Sequence, residues 1–213
     1  KLPFSVENGA AYYIPINNSK YYIYKKIVNP YAIKKNTIKK ILNKSIFKTY
    51  LRNIKFIENL SIAEQKKITK LNSKQLKDFY SREYSVPVLI SGDKYFKKKF
   101  KETLFKYNLK ILFGGKLNNI SGLHSKLNSL SFFSNKYKQR LRTTKIIIIS
   151  LGDNQNDVEI LNNSNYSGII KNNSSKALKL KIKNNIFRSF TEAPFGWVEV
   201  LKKIIIKMER DYY

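Results

Sequence analysis

Apolar residues recur along this chain in two rhythms, and the change of rhythm marks out its elements. Val6–Ile16 predicts two short strands around a turn: Asn8-Gly9 is a turn dipeptide, and Ala10–Ile16 is apolar and β-prone. Tyr21–Ile27, rich in Tyr and Ile, predicts another strand. In Asn36–Leu51 the apolar residues Ile38, Ile41, Leu42, Ile46 and Phe47 fall close to helical spacing. Ser61 followed by Glu64 is a capping box that opens a short helix through Thr69. Ser73 caps a second helix, with Leu76, Phe79 and Tyr80 on one face. Val86–Ser91 predicts a strand, Lys94–Tyr107 a helix, and Leu109–Phe113 a strand ending at Gly114-Gly115. A helix is expected within Leu123–Phe133.

The pattern then changes. Lys145–Leu151 is a continuous apolar run bounded by Gly152, the signature of a central parallel strand buried on both faces. Asn154–Leu161 reads as the following helix, Tyr166–Lys171 as the next strand and Gly196–Met208 as a closing helix. Alternating strand and helix over the last third is the pattern of a doubly wound α/β layer. The middle, from about Lys20 to Lys116, mixes short strands with helix pairs and reads as a separate α+β lobe. No internal repeat is visible. Lys1–Asn8 reads like the inside of a folded domain, which sets the expectation of a natural start upstream.

Composition narrows the possibilities. The chain has 213 residues, no cysteine and one histidine, so disulfide frameworks, thiolate zinc sites and a cysteine nucleophile are excluded. No window holds the roughly 18 apolar residues a membrane-spanning helix needs. A hydrophobic share of 42% with 14% aromatic residues is enough to build a core. The formal charge of +28 raises nucleic-acid binding. Against that, the positive charge is almost all Lys; the arginines are Arg52, Arg82, Arg140, Arg142, Arg188 and Arg210. Arg supplies the bidentate fork that reads phosphate and bases, and the lysines are spread along the whole chain. Lys, Asn and Ile share A/T-rich codons, so compositional drift accounts for all three together. The expected partner is a small molecule, with no specific nucleic acid and no membrane.

The segment that carries chemistry runs from Ile146 to Asp157. An apolar strand leads into Gly152-Asp153-Asn154-Gln155-Asn156-Asp157 and then into a helix. Ligands of open α/β sheets bind beyond the carboxyl ends of the strands. Two carboxylates four residues apart at that edge can hold a hard divalent cation, with Asn156 adding an amide group. Mg²⁺ takes one or two protein carboxylates and fills its shell with water or phosphate. The alternative is a plain helix start, in which Asp153 or Asn154 caps and Asp157 favours the first-turn dipole.

Gly-Asp-x-x-Asn-Asp after an apolar strand resembles the last motif of haloacid dehalogenase-type phosphatases. Glu7-Asn8-Gly9-Ala10-Ala11 with Ile14-Pro15 resembles the segment that opens the cap in the sugar-phosphatase group. Phe56–Ser61, Thr69-Lys70-Leu71 and Ser81-Arg82-Glu83-Tyr84-Ser85-Val86-Pro87 resemble the cap of the mannosyl-3-phosphoglycerate phosphatase family. Gly114-Gly115 through Lys126 resembles that family's strand, loop and motif lysine, and Ala193-Pro194-Phe195-Gly196-Trp197 its closing segment. The matches keep family order from about Val6 to Leu201.

This resemblance implies a Rossmann-like parallel-sheet core, incomplete at the N-terminus, with an inserted α+β cap domain. Residues 1–19 would be a remnant of the core, 20–116 the cap and 117–213 the rest of the core with the metal motif. It implies Mg²⁺ as cofactor, held by Asp153 and Asp157, and Lys126 as the catalytic lysine that offsets charge on the nucleophile and phosphoryl group. It places Arg82, Glu83, Ser85 and Asn156 at the substrate, with Arg82 suited to glycerate carboxylate or phosphate oxygens. The implied reaction is cytoplasmic hydrolysis of mannosyl-3-phosphoglycerate to mannosylglycerate, a compatible solute, and phosphate. A related substrate such as glucosyl-3-phosphoglycerate is the alternative, and a basic nucleic-acid-binding module or an inactive remnant is the alternative of another class.

The departures from the family pattern are specific. Ser125-Lys126-Leu127 stands where the family has Asp-Lys-Gly, and Val86 where it usually has Glu. The Asp-x-Asp nucleophile motif is expected before Glu7, and no such pair occurs in the sequence. These 213 residues alone are therefore expected to show no turnover. His124 is expected in a loop or surface role, and Trp197 as a packing anchor for the last helix.

Overall fold

In a computed structural model of the chain, residues 2–16, 23–113, 117–173, 178–181 and 184–212 are described. They form two compact units, Lys1–Ser125 and Lys126–Tyr213. Gly114 and Gly115, and Tyr21 and Tyr22, lie outside the described residues.

The first unit begins with an antiparallel sheet of β1 (Phe4–Val6), β2 (Ala11–Pro15) and β3 (Tyr24–Val28), in that order. The β1–β2 turn needs three residues in the left-handed region: Glu7, Asn8 and Gly9 have φ of 48°, 59° and 96°. Asn and Gly accept that conformation readily, which is why the dipeptide marks the turn. Helix α1 (Lys35–Leu42) buries Ile38 and Leu42. The helical spacing over 36–51 does not form one helix. A 3₁₀ turn at Ser45–Phe47 and the short α2 (Lys48–Leu51) follow, and Phe47 is buried from the 3₁₀ turn. After β4 (Ile54–Phe56), α3 (Ile62–Thr69) opens on the Ser61–Glu64 capping box as its sequence predicts. The cap of α4 (Ser73–Tyr80) is Asn72 rather than Ser73: its side chain accepts from Gln75 N at 2.9 Å, and Gln75 Oε1 answers Asn72 N at 2.9 Å.

Strand β5 (Ser85–Ile90), α5 (Lys94–Phe105), β6 (Leu109–Phe113) and β7 (Asn118–Gly122) complete the unit. The four strands pair antiparallel in the order β4-β5-β7-β6. The residue-116 boundary expected from sequence thus falls inside the β6–β7 hairpin. Helices α1 and α5 cover one face, where Phe47, Val86, Val88, Phe100, Leu104, Ile111 and Ile120 form the core.

The second unit opens with α6 (Lys126–Leu141), longer than its apolar pattern suggests. Strands β8 (Ile149–Gly152), β9 (Tyr166–Lys171) and β10 (Ile186–Glu192) pair parallel in the order β10-β9-β8. A 3₁₀ turn at Gln155–Asp157 and α7 (Val158–Asn162) follow β8, and α8 (Phe195–Tyr212) closes the chain.

The parallel layer corrects one expectation. The run 145–151 is not the central strand: β8 begins only at Ile149 and pairs only with β9 among the described residues. Ile147 and Ile149 are 42% and 37% exposed. The buried central strand is β9, whose first five residues are all buried. An apolar run reports hydrophobicity, not the number of neighbours it finds. Packing of α8 corrects another. Trp197 is 52% exposed; Val200 and Ile204 seat the helix against Tyr166 and Ile170. Gly196 lets the first turn approach, because a Cβ there would overlap the Thr191 carbonyl.

Candidate functional site

The second unit gathers its chemistry at the carboxyl end of β8. There Gly152 hands the chain to a loop that curls back through the 3₁₀ turn. Asp157 is the hub of that loop and is 4% exposed. Its Oδ2 accepts from the backbone N–H of Asp153 at 3.2 Å and of Asn154 at 3.1 Å. Its Oδ1 accepts from Lys126 Nζ, so the first residue of α6 is tied to the loop after β8. The absence of a side chain at Gly152 makes this possible, since a Cβ there would overlap Asp157 Cβ and crowd its carboxylate.

Asp153 is the outward carboxylate. It is partly exposed, and its Oδ2 accepts from Asn172 Nδ2 at 2.8 Å. Asn156 is partly buried within the 3₁₀ turn. The structure thus brings Lys126, Asp153 and Asp157 together in one loop system. Asn172, one residue past β9, belongs to it and has no motif that marks it in sequence.

The donor set fits a hard divalent cation. Asp153 offers carboxylate oxygen at the strand edge, and Mg²⁺ requires only one or two such groups, the remainder being water or phosphate. Asp157 has both oxygens committed, to Lys126 and to the loop amides, so its part is to hold the loop in shape. Among the described residues no three or more His, Cys, Asp or Glu side chains converge as a metal cluster; an all-protein cage is therefore not what this loop builds.

The other three predicted residues lie in the first unit, around Glu7. The Glu7 carboxylate accepts from Glu83 N at 2.8 Å, Tyr84 N at 3.0 Å and Ser85 Oγ at 2.7 Å. Glu83 turns its own carboxylate to Lys26, at 2.5 Å, and that bond raises the Lys26 ammonium pKa. Arg82 stacks its guanidinium over Phe79, 4.7 Å from the ring centre. Its Nε is buried with no hydrogen-bond partner among the described residues. Burial holds its pKa below the usual value, against the pull of the Glu7 charge.

Sequence reasoning gave Glu7 no role of its own. Its signal was its place before Asn8-Gly9, in a turn that needs positive φ. His124 lies in a loop as expected, but not at the surface. It is 0% exposed, its Nε2 is 3.0 Å from the Glu7 carbonyl, and burial together with Lys110 lowers its pKa.

No protein-family model matches the chain, and no curated protein does. Solved structures do. The Thermotoga maritima protein TM0651 superposes with a TM-score of 0.51 at 17% identity, over 92% of this chain and 73% of its own. The likeness is one of fold. The chain has a mixed α/β fold, with a parallel sheet beside antiparallel ones. A Eubacterium rectale protein aligns with a TM-score of 0.45 at 12% identity, over 78% of this chain. The chain spans 65% of the length of that protein. No helix among the described residues is long and apolar enough to cross a membrane.

Proposed function

We propose that this chain carries the metal- and phosphate-holding part of a Mg²⁺-dependent sugar phosphatase, of the kind that hydrolyses mannosyl-3-phosphoglycerate in the cytoplasm. The observation that supports the reading is the triad of Asp153, Asp157 and Lys126 at the end of a parallel strand, in a mixed α/β fold. Each residue has a distinct task. Asp153 would hold the cation. Asp157 fixes the loop by accepting two backbone amides and orients the Lys126 ammonium. Lys126 places a positive charge where a phosphoryl group would gain negative charge in the transition state. Bound Mg²⁺ would supply further charge neutralisation at the phosphoryl oxygens. Arg82, whose Nε has no partner in its own unit, would take a carboxylate or phosphate oxygen of the substrate. Glu83, Ser85 and Asn156 would complete the substrate contacts. In the division that goes with this reading the cap extends through β7, and residues 126–213 carry the metal motif.

The test is calorimetric titration of the chain with Mg²⁺, alone and with orthophosphate. Asp153→Asn should weaken Mg²⁺ binding at least about tenfold, and Lys126→Ala should weaken phosphate binding while sparing Mg²⁺. Mg²⁺ affinity unchanged by Asp153→Asn would sink the reading. A panel of mannosyl and glucosyl phosphoglycerates then separates the two hexoses, which differ by one hydroxyl. No Asp-x-Asp pair occurs in these 213 residues, so no phosphate release is expected from them alone. Mg²⁺-dependent release would show that another group here serves as nucleophile.

A further inference from the structure

Strand β8 uses one side of its ladder. The Ile148 carbonyl accepts from Asn165 N at 2.9 Å and Tyr166 N at 3.1 Å, and Ile148 N donates to Asn165 Oδ1 at 2.8 Å. The parallel register turns the backbone groups of Ser150 and Gly152 to β9 as well. Successive residues of a strand send their amides and carbonyls to opposite sides. Those of Ile147, Ile149 and Leu151 therefore face away from β9, and among the described residues no strand pairs with them.

The side chains beside this edge are apolar. Ile147 and Ile149 are exposed. Leu130, Phe133, Tyr137 and Leu141 of α6 line an open groove with Ile146 and Ile148. Natural edge strands are guarded by charges or proline, and Ile146–Ile149 has neither. A lipid chain would fill the groove but leave the edge amides and carbonyls unmade. A second strand meets both needs.

A second copy of β8 is complementary to this one. Laid antiparallel about a two-fold axis through Ile149, each copy opposes its Ile147 to Leu151 of the other, and Ile149 to Ile149. These are the residues whose backbone groups face the open side, so each gains a hydrogen-bonded partner. The same register brings Lys145 of one copy opposite Asp153 of the other, at both ends of the pairing. Opposite charges in that position stabilise a sheet. Moving the axis to Ile148 or Ser150 sets Lys145 against Leu151 or Gln155 instead, so charge selects the register.

We propose that β8 pairs with β8 of a second copy of this chain, joining two parallel layers into one sheet across a two-fold axis at Ile149. The dimer is independent of the phosphatase reading. Mg²⁺ and Lys145 of the second copy would compete for Asp153, so the test is made in EDTA.

Sedimentation equilibrium of the whole chain at about 0.15 M salt should show a monomer–dimer equilibrium, despite a charge of +28. Ile149→Lys sets two ammonium groups face to face on the axis and should weaken the dimer at least about tenfold. Lys145→Asp should weaken it about fivefold, and adding Asp153→Lys should recover the loss. The chain has no cysteine, so Ile149→Cys carries a single thiol. A short bismaleimide should join two copies through it, and not through Ile206→Cys on the exposed side of α8. Cross-linking reads the pairing without breaking it, so the test survives an Ile149→Lys chain that fails to fold. A chain monomeric at every concentration overturns the proposal and leaves the edge to a strand of another origin. A dimer that a folded Ile149→Lys chain keeps, or cross-linking equal at both thiols, overturns it too. A double swap that recovers nothing overturns the register.

Discussion

Glu7 in the first unit and Asp157 in the second hold their loops by the same device, with different third partners. Each carboxylate accepts from two consecutive backbone amides: Glu83 and Tyr84 for one, Asp153 and Asn154 for the other. Glu7 completes its set with a neutral hydroxyl, Ser85 Oγ. Asp157 completes its set with an ammonium, Lys126 Nζ. The first arrangement closes on itself and fixes where β5 begins. The second sets a cation and a further carboxylate, Asp153, on one loop at a strand's end. Both carboxylates have structural work. Glu7 has the Arg82 charge nearby, whereas Asp157 has a cation in direct contact and a further carboxylate, Asp153, beside it.

The largest expected effect comes from filling the space that Asp157 occupies. Gly152→Val places carbon atoms where Asp157 Cβ and Cγ now sit, and neither the strand nor the 3₁₀ turn can yield without breaking the loop bonds. Overpacking of this kind costs about 3 kcal/mol. Urea unfolding should show that loss, and Mg²⁺ binding should fall with it. Wild-type affinity in a folded Gly152→Val chain would mean that the loop does not depend on Asp157.

Glu7 gives the matching test in the first unit. Glu7→Ala leaves the Glu83 and Tyr84 amides and the Ser85 hydroxyl without their acceptor, at a cost of about 2 kcal/mol. Glu7→Gln keeps one oxygen acceptor and should cost about half as much. The comparison sharpens if neither change alters Mg²⁺ affinity, since the device in the first unit has no metal to serve. Equal unfolding midpoints for Glu7→Ala and the unchanged chain, measured in urea, would show that the bonds add nothing.

These two devices also mark how far the sequence could be read. Asp153 and Asp157 could be placed because Gly-Asp-x-x-Asn-Asp is a local signature, with its loop and strand adjacent in the chain; Lys126, 31 positions before Asp157, came from the family resemblance and not from spacing. The Ser61 capping box was readable for the same reason: all its atoms lie within four residues. Glu7 and Asn172 act across 76 and 19 positions, and no spacing rule links them to their partners. The run 145–151 was misread as central for a related reason. Hydrophobicity is a property of the segment, whereas being flanked on both sides is a property of the sheet. The helix at 36–51 broke because apolar spacing alone does not register a 3₁₀ turn that buries Phe47 from a new angle. The wrong cap at α4 was an error of one residue, since Asn72 and Ser73 are both good capping types and only the backbone decides between them.

The smallest effect concerns the histidine that leans on Glu7. His124 is fully buried, with Nε2 3.0 Å from the Glu7 carbonyl, and burial and Lys110 hold its pKa below the ordinary value. A histidine whose folded pKa lies below its unfolded one takes up a proton on unfolding. Its contribution is therefore fully present above the unfolded value of about 6.5 and is lost as pH falls from there toward the folded pKa. Unfolding of the first unit should become easier between about pH 7 and pH 5. His124→Gln keeps an amide that can donate to the Glu7 carbonyl but cannot titrate, so its unfolding midpoint should stay flatter over that interval. Parallel curves for the two proteins would mean that the pH dependence belongs to other groups. If the curves diverge, and Glu7→Ala narrows the gap, then the carbonyl and the carboxylate of Glu7 work as one support: the carboxylate fixes the turn from which the carbonyl reaches the imidazole. Asp157 has no counterpart to this, because the chain's one imidazole lies in the first unit.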